Sequence, residues 1–212
     1  MYFNKLNSLA MKKVLFVLML TVSFTVYASN KVGNLAIGDK PVLSEAKMTD
    51  VSGAKISLAD VKQGNGLLVL FSSNTCPFVL QWEDRYPEIK AWADKNKVGM
   101  VVLNSNHTKR DSDDSFEAMK KHAKEKGYNF YYALDDQSAV ANAFGGQTTP
   151  HAFLFNSKME LVYKGAIDDS YKSAKEVKQP YLKDAITSLS GGKKIAVTET
   201  KPVGCSIKRK VD

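Results

Sequence analysis

Residues 67–78 read LLVLFSSNTCPF, a continuous apolar run followed by a polar turn, a cysteine and a proline. Five large apolar residues in succession, preceded by Gly-Asn-Gly at 64–66, predict a buried strand. Pro77 suits the first position of a helix, and the apolar residues beyond it recur at helical spacing. The pattern therefore places Cys76 at the point where a buried strand ends and a helix begins.

This position predicts a reactive thiol at Cys76. The first backbone N–H groups of a helix have no partners within the helix and favour negative charge, so a thiol there can have its pKa lowered from about 8.5 to roughly 3.5–7.5. Cys76 would then be a nucleophile. The alternative is that Cys76 serves as a small buried apolar side chain, which is a common use of free cysteine.

The length and the N-terminal sequence predict one exported domain. A chain of 212 residues that is 44% hydrophobic can form one well-cored domain with extensions. Residues 1–28 carry Lys12 and Lys13, then an apolar run at 14–26, then a small-residue end at Ala28. We expect a signal peptide that is cleaved here, which places the protein in the periplasm or outside the cell. An uncleaved membrane tether is the alternative.

The distribution of charge argues against a nucleic-acid partner. The net charge is +8, but basic and acidic residues alternate, as in residues 109–111 and 124–126, without a basic stripe. The dense cluster at 208–210 is typical of a solubilising tail. His107, His122 and His151 show no metal-ligand spacing, so we predict no metal and no other cofactor.

Cys76 and Cys205 are the two cysteines of the chain. In an oxidising compartment such thiols commonly pair or are kept reduced by a dedicated system. A disulfide that closes a loop of more than 100 residues would stabilise the fold by about 4 to 5 kcal/mol in the chain-entropy model.

The remaining pattern predicts an α/β fold with a mixed central sheet flanked by helices on both faces. Two continuous apolar runs with a helix between them indicate a parallel βαβ unit. We expect Pro87 to kink the helix that follows Cys76. The expected elements are a hairpin at 47–58, strands at 67–71, 99–104, 130–134, 151–156 and 161–165, and helices at 77–95, 112–126, 136–144 and 180–189.

This order of elements resembles the thioredoxin-like redoxin family, which includes bacterial exported thioredoxin-like proteins and is related to the peroxiredoxins. The resemblance covers roughly residues 33–210. It implies a thioredoxin-like domain at 29–190 and a C-terminal tail at 191–212 that carries Cys205. The motifs that carry it are Phe71-x-x-Asn74-x-Cys76-Pro77-Phe78-Val79, Glu83-Asp84-Arg85, Asn104-Ser105-Asn106, Asp114-Ser115-Phe116, Thr149-Pro150, Gly165-Ala166-Ile167-Asp168-Asp169 and Gly204-Cys205-Ser206-Ile207-Lys208.

The family resemblance implies a thiol oxidoreductase with a role in antioxidant defence and cell redox homeostasis. Many relatives read Cys-x-x-Cys-Pro at this turn, and Ser73 stands in place of their first cysteine. A serine cannot form a mixed disulfide, so the ordinary local dithiol cycle is blocked. Ser73-x-x-Cys76 also resembles the Thr/Ser-x-x-Cys of peroxiredoxins, in which the hydroxyl lies near the attacking sulfur. A turn or helix-capping role for Ser73 is the alternative.

The resemblance also assigns roles around Cys76. Cys205 is the internal candidate for a resolving thiol. Pro150 would be a cis proline that faces the reactive sulfur, and Thr149 would offer backbone groups to an extended substrate. Thr75 and Pro77, which flank Cys76, complete the expected substrate-binding positions.

Two basic side chains are candidates to stabilise the Cys76 thiolate. His151 follows Pro150, and an imidazolium near Cys76 would favour ionisation of the thiol. Arg85 lies about two and a half helical turns beyond Cys76, so we expect it to be a surface residue or to form a salt bridge instead.

Three hypotheses follow from the sequence. The first is an exported thiol redox enzyme that uses Cys76 to reduce peroxides or to exchange protein disulfides, with Cys205 as partner and a reductant protein to regenerate it. The second is a redox-inert binding module in which Ser73 marks the loss of catalysis. The third is a purely structural disulfide between Cys76 and Cys205.

Overall fold

The computed structural model describes residues 33–210, so the expected signal peptide and the last two residues lie outside the described part. The elements are β1 (Met48–Asp50), β2 (Lys55–Ile56), α1 (Leu58–Val61), β3 (Gly66–Ser72), α2 (Pro77–Trp82), α3 (Tyr86–Lys95), β4 (Val98–Asn104), α4 (Phe116–Glu125), β5 (Tyr131–Leu134), α5 (Ala139–Phe144), β6 (Thr148–Thr149), β7 (His151–Asn156), β8 (Leu161–Gly165), α6 (Tyr181–Ser190) and β9 (Cys205–Ser206). The strands form a seven-stranded sheet in the order β2-β1-β5-β4-β3-β7-β8 and a separate two-stranded sheet of β6 and β9.

The large sheet is mixed, as the sequence predicts. Strand β3 runs parallel to β4, with Ser72 opposite Asn104, and β4 runs parallel to β5. On its other side β3 pairs antiparallel with β7, and β7 continues into the hairpin with β8. The thioredoxin-like arrangement of a parallel βαβ unit beside an antiparallel hairpin is therefore confirmed.

The central strands are buried on both faces because a core packs against each side of the sheet. Alternate residues of one strand enter different cores, since successive side chains point to opposite faces. From β3, Leu68 and Leu70 enter the core that contains Trp82 of α2. Val69 and Phe71 enter the opposite core with Phe144 of α5.

The helix after Cys76 is interrupted just before Pro87, where the sequence predicted a kink at the proline itself. It is divided into α2 and α3 by a 3-10 turn over Glu83–Arg85, and Pro87 lies in the first turn of α3. The N–H groups of a first helical turn have no partner within the helix, so the missing N–H of proline costs nothing there. The break therefore precedes the proline.

Helix α4 also begins later than the spacing predicts. Ser115 is its N-cap, and the Ser115 side chain accepts a hydrogen bond from the N–H of Ala118. Residues 112–114, which were expected to begin the helix, form a turn instead. Across residues 33–210, none of the helices combines the length and the apolar character needed to cross a membrane.

The C-terminal segment lies against the domain. The N–H of Lys164 in β8 donates to the carbonyl of Thr198, and the N–H of Thr200 donates back to the carbonyl of Lys164. Further along, Ile207 is buried in the core below Phe71. The two-stranded sheet lies between these anchor points, so the expected tail supplies a strand that the sequence analysis missed.

Candidate functional site

Cys76 occupies the turn between β3 and α2. It is the N-cap residue of α2, with an extended backbone and Pro77 at the start of the helix. Its N–H donates to the Ser73 hydroxyl at 3.1 Å, and its thiol donates to the Thr149 carbonyl, with 3.1 Å between sulfur and oxygen. The Cys76 side chain is only 6% exposed, so a reactant can approach from one narrow side.

Thr149 and Pro150 lie on the other side of the sulfur. The peptide bond between them is cis, as the resemblance implies. Thr149 belongs to β6, which pairs antiparallel with β9 so that Thr149 lies opposite Cys205 and Thr148 lies opposite Ser206. The two cysteines, far apart in sequence, therefore meet across Thr149.

The two thiols influence each other's ionisation, and their pKa values move in opposite directions. Burial of Cys76 opposes its ionisation, but the neighbouring Cys205 thiol and the N–H groups of Val79 and Cys205 outweigh it and lower the pKa of Cys76. Burial and the hydrogen bond to Cys76 raise the pKa of Cys205 to about 11. Cys76 is thus the more acidic thiol of the pair, and Cys205 stays protonated at neutral pH.

The pair opens into a cleft of about 200 Å³. Four of the predicted site residues line the cleft together with Cys205. Thr149 adjoins it through the contact of its carbonyl with the Cys76 thiol, and Pro150 follows Thr149 in the chain. The lining residues are Ser73, Thr75, Cys76, Pro77, Asn106, Lys109, Asp114, Cys205, Ser206 and Lys208. Ser73 uses its hydroxyl oxygen to accept the Cys76 N–H, which is the turn-forming role considered above.

A buried carboxylate organises the floor of the cleft. Asp114 is 0% exposed and accepts hydrogen bonds from the N–H of Asn74 at 2.8 Å and from the side-chain amides of Asn104 at 2.6 Å and Asn106 at 2.9 Å. The Tyr132 hydroxyl donates to the amide oxygen of Asn74 at 2.7 Å. The turn that carries Cys76 is therefore tied to the end of β4.

The motifs that carry the family resemblance include Asn74, Asn104, Asn106 and Asp114, but the sequence alone predicted no role for them. Asn104 ends a fully buried strand, and Asn106 follows two residues later. Polar side chains at the carboxyl end of a buried parallel strand are the signal that could have identified them, because such strand ends border the ligand crevice of open α/β sheets.

His151 does not assist the thiolate in the way expected. It pairs with Phe71 across β3 and β7, and its ring packs on Phe153, which belongs to the core opposite α2. Its Nδ1 accepts the N–H of Gln147 at 3.1 Å. Burial, with a small contribution from Lys164, lowers the pKa of His151 to about 3, so it is neutral at physiological pH.

Arg85 forms an ion pair, as expected, but the pair is buried rather than on the surface. Its guanidinium contacts the Asp168 carboxylate at 2.6 Å, and the indole N–H of Trp82 donates to the same carboxylate at 3.0 Å. A cavity of about 140 Å³ lies beside this pair and contains neither cysteine. Across the described residues, no group of three histidine, cysteine or acidic side chains is placed to hold a metal ion.

Comparison with solved structures shows which proteins share this architecture. A hypothetical protein from Sinorhizobium meliloti 1021 is 28% identical, with a TM-score of 0.77 over 87% of this chain and 100% of its own. An uncharacterized conserved protein from Geobacillus kaustophilus is 29% identical, with a TM-score of 0.78 over 86% and 96%. The peroxidoxin BcpB of Mycobacterium tuberculosis, at 12% identity, covers 74% and 98% with a TM-score of 0.57 and shares the fold. No protein with a curated description matches the chain.

A thioredoxin-like sheet with a cysteine at the end of its central strand and a cis proline beside the sulfur is typical of thiol redox proteins. The Redoxin family model matches residues 36–179, more than half of the chain. The protein belongs to the Redoxin family.

The contact between the cysteines predicts how Cys76 alkylation depends on pH. Replacing Cys205 with alanine removes a donor to the Cys76 sulfur, so we expect the midpoint of iodoacetamide alkylation to move to higher pH. The Cys205→Ser variant keeps a hydroxyl donor and should shift the midpoint less. Alkylation at Cys76 is followed by peptide mapping across pH 5 to 10. Identical midpoints in all three proteins would contradict the assigned hydrogen bond.

Proposed function

We propose that the protein is a disulfide reductase in which Cys76 attacks the substrate and Cys205 resolves the intermediate. The single observation that carries this proposal is the pairing of β6 with β9, which places Cys205 opposite Thr149, the residue whose carbonyl accepts a hydrogen bond from the Cys76 thiol. Cys205 thereby supplies the second thiol of the reaction, which Ser73 cannot supply because it has a hydroxyl group instead.

The reaction balances with these two residues. The Cys76 thiolate attacks one sulfur of a substrate disulfide, forms a mixed disulfide and expels a thiolate, which takes a proton from solvent. Cys205 then gives its proton to solvent and attacks Cys76 Sγ as a thiolate. The bond between Cys76 and the substrate breaks, and the second substrate sulfur leaves as a thiolate that takes a proton. The net change is one protein dithiol oxidised to a disulfide and one substrate disulfide reduced to two thiols. A reductant protein with a dithiol would return the enzyme to its reduced form.

The donors around Cys76 favour disulfides over peroxides as substrate. Cleavage of a peroxide O–O bond releases an alkoxide or hydroxide, which a neighbouring cation stabilises. In the described part of the chain, the groups that donate hydrogen bonds to the Cys76 sulfur are neutral, Arg85 is paired with Asp168, and Arg110 donates to the backbone carbonyls of Asn104 and Asp114. Lys109 and Lys208 line the cleft, but neither donates a hydrogen bond to the sulfur. A thiolate leaving group needs less stabilisation, because thiols are far stronger acids than alcohols.

Peroxide reduction is the second candidate. It is favoured by the Ser73-x-x-Cys76 pattern and by a cleft of about 200 Å³, which admits a small peroxide more readily than a bulky substrate. Cys76 would attack one peroxide oxygen to give a sulfenic acid and an alcohol. Cys205 would then condense with the sulfenic acid to a disulfide and water.

The binding-module and structural-disulfide hypotheses make different demands. A binding module does not need a Cys76 of lowered pKa, and a structural bridge would not cycle. The leader at 1–28 remains the basis for proposing an exported protein, in which the substrate would be a disulfide of the cell envelope or the exterior.

The test is the stoichiometric oxidation of the reduced protein. One equivalent of bis(2-hydroxyethyl) disulfide should yield two equivalents of 2-mercaptoethanol and an intramolecular bond between Cys76 and Cys205, identified by peptide mapping of the monomer. The same experiment with hydrogen peroxide, under pseudo-first-order conditions, gives the competing rate.

Four outcomes separate the candidates. A faster reaction with the disulfide supports the proposal, and a faster reaction with peroxide favours the second candidate. A bond that forms but resists excess dithiothreitol in the folded protein would indicate a structural bridge. An unreactive Cys76 would overturn both redox functions.

A further inference from the structure

The C-terminal segment occupies the backbone edge beside the reactive sulfur. Strand β6 belongs to the small sheet, where its partner is β9 of the same chain. Cys205 lies opposite Thr149 in this pairing, and Ser206 lies opposite Thr148. A cysteine within an extended strand is therefore already seated against Cys76, which is the geometry that a cysteine-containing polypeptide would adopt there.

No second strand can lie on this edge while the segment is seated. Gly204 packs so closely that a Cβ added to it would come within 2.2 Å of the Thr149 carbonyl oxygen. The carbonyl of Gln147 accepts the N–H of Ile207 at 3.1 Å, so the backbone next to β6 is used as well. An external polypeptide therefore has to replace the segment rather than add to it.

The attachment of the segment is strong at one point and weak beyond it. Thr200 is held by two backbone hydrogen bonds between residues 198–200 and β8, and its hydroxyl contacts the Tyr163 hydroxyl at 2.9 Å and accepts the N–H of Ala166 at 2.9 Å. From 201 to 210, Ile207 is the one buried residue, and Lys201 and Val203 are exposed.

The outer contacts of the segment are mostly polar. The N–H of Lys208 donates to the Asn106 side chain at 2.9 Å, its carbonyl accepts the N–H of Thr108 at 3.0 Å, and the Arg209 guanidinium donates to the Gly146 carbonyl and the Asn142 side chain. Each such bond can be exchanged for a bond to water at small net cost. Detachment of residues 203–209 exposes one buried apolar side chain, Ile207, while the chain stays anchored at Thr200, so the opening is local and leaves the rest of the core in place.

We propose that residues 203–209 form an exchangeable strand. It leaves β6 to admit an extended polypeptide that carries a disulfide, and it returns to eject the reduced polypeptide. This inference rests on the proposed function, and it adds a substrate class and a release step to it. Small disulfides react while the strand is seated, and polypeptide disulfides react after it has left.

The release step combines two events at one place. While the polypeptide is bound, its sulfur is joined to Cys76 and its backbone is paired with Thr149. When residues 203–209 return, the Cys205 thiolate attacks Cys76 Sγ, the Cys76–Cys205 bond forms, and the polypeptide leaves as a thiolate that takes a proton. The same strand takes back the backbone hydrogen bonds of Thr149, so covalent and non-covalent release coincide.

A substitution at Gly204 tests the exchange, because a methyl group there weakens the seating of the strand without removing either sulfur. We compare Gly204→Ala with the matched control Gly64→Ala, since Gly64 is exposed and an added Cβ meets nothing within 4 Å. Each protein reduces two probes, bis(2-hydroxyethyl) disulfide and a peptide of about ten residues whose central cysteine is joined to 2-mercaptoethanol.

In Gly204→Ala, the rate with the peptide relative to the rate with the small disulfide should rise roughly fivefold, as loss of one hydrogen bond from the seated strand implies. Hydrogen exchange at the Ile207 amide should accelerate in the same variant, and Gly64→Ala should match the wild type in both measurements. An unchanged rate ratio with faster exchange at Ile207 would overturn the inference. If exchange at Ile207 is unchanged in Gly204→Ala, the Arg209→Ala variant replaces it, because this substitution loosens the strand from its other end. An unchanged rate ratio in Arg209→Ala would then overturn the inference.

The two proposals fail in different ways. If the wild type reduces neither probe and forms no bond between Cys76 and Cys205, the proposed function is wrong. If the wild type reduces the small disulfide with formation of that bond, but the rate ratio does not respond to loosening of the strand, the exchangeable strand alone is wrong.

Discussion

Replacing Cys76 with serine is expected to lower the turnover of disulfide substrate by about a thousandfold or more, to the rate without enzyme. The thiolate is the attacking group, and a serine hydroxyl at the same place is not ionised at neutral pH and forms no mixed disulfide. Steady-state release of 2-mercaptoethanol from bis(2-hydroxyethyl) disulfide, with excess dithiothreitol as reductant and its direct reaction subtracted, measures the effect.

The Cys205→Ser variant is the matched control for this loss. It retains Cys76 and a hydroxyl donor beside it, so the first attack should proceed, and one equivalent of mercaptoethanol should be released in a single turnover. The second step lacks its nucleophile, so the mixed disulfide on Cys76 should accumulate and be visible by mass spectrometry. Full turnover in Cys76→Ser, or a mixed disulfide found on Cys205 in the wild type, would contradict the assigned roles.

Replacing Asp114 with alanine is expected to lower the free energy of unfolding by about 3 kcal/mol, since three buried donors lose their acceptor and a cavity remains. The donors are the backbone N–H of Asn74 and the side-chain amides of Asn104 and Asn106. Urea unfolding followed by far-UV circular dichroism measures the change, provided that the slope with denaturant stays constant.

The neighbouring Asp113→Ala variant is the control for Asp114. Asp113 is exposed and contributes only its backbone carbonyl, which accepts a hydrogen bond from the Asn74 amide at 2.7 Å. Its stability should therefore stay within about 0.5 kcal/mol of the wild type. An Asp114→Ala variant as stable as Asp113→Ala would show that the carboxylate does not organise the floor of the cleft.

The loss of Asp114 should also disturb the positions of the two cysteines. Asn74 belongs to the turn that carries Cys76, and Asn106 accepts the N–H of Lys208 in the C-terminal segment. One buried carboxylate thus positions the nucleophile and the strand that carries the resolving thiol. We therefore place Asp114 among the residues that position the site, although it does not contact either sulfur in the structure.

Local patterns in the sequence predicted much of the fold. The continuous apolar runs that became β3 and β4 predicted buried parallel strands, because a strand covered on both faces cannot alternate between polar and apolar residues. Pro77 after Cys76 predicted the start of α2 for an equally local reason, since proline fits the first helical turn. Pro87 predicted an interruption of the helix after Cys76, and the interruption lies over Glu83–Arg85, because proline lacks the N–H that would bond the carbonyl four residues earlier.

The sequence by itself determined that a cysteine stands at the end of a buried strand and that a second cysteine lies near the C-terminus. Only the tertiary structure decided that they meet. The pairing of Thr149 with Cys205 is a contact between segments that are distant in the chain. The two strands that pair, β6 and β9, have two residues each, which is too short to produce a hydrophobic pattern in the sequence. The same holds for the pKa values of the two thiols, which depend on burial and on hydrogen bonds from the partner thiol rather than on neighbours in the sequence.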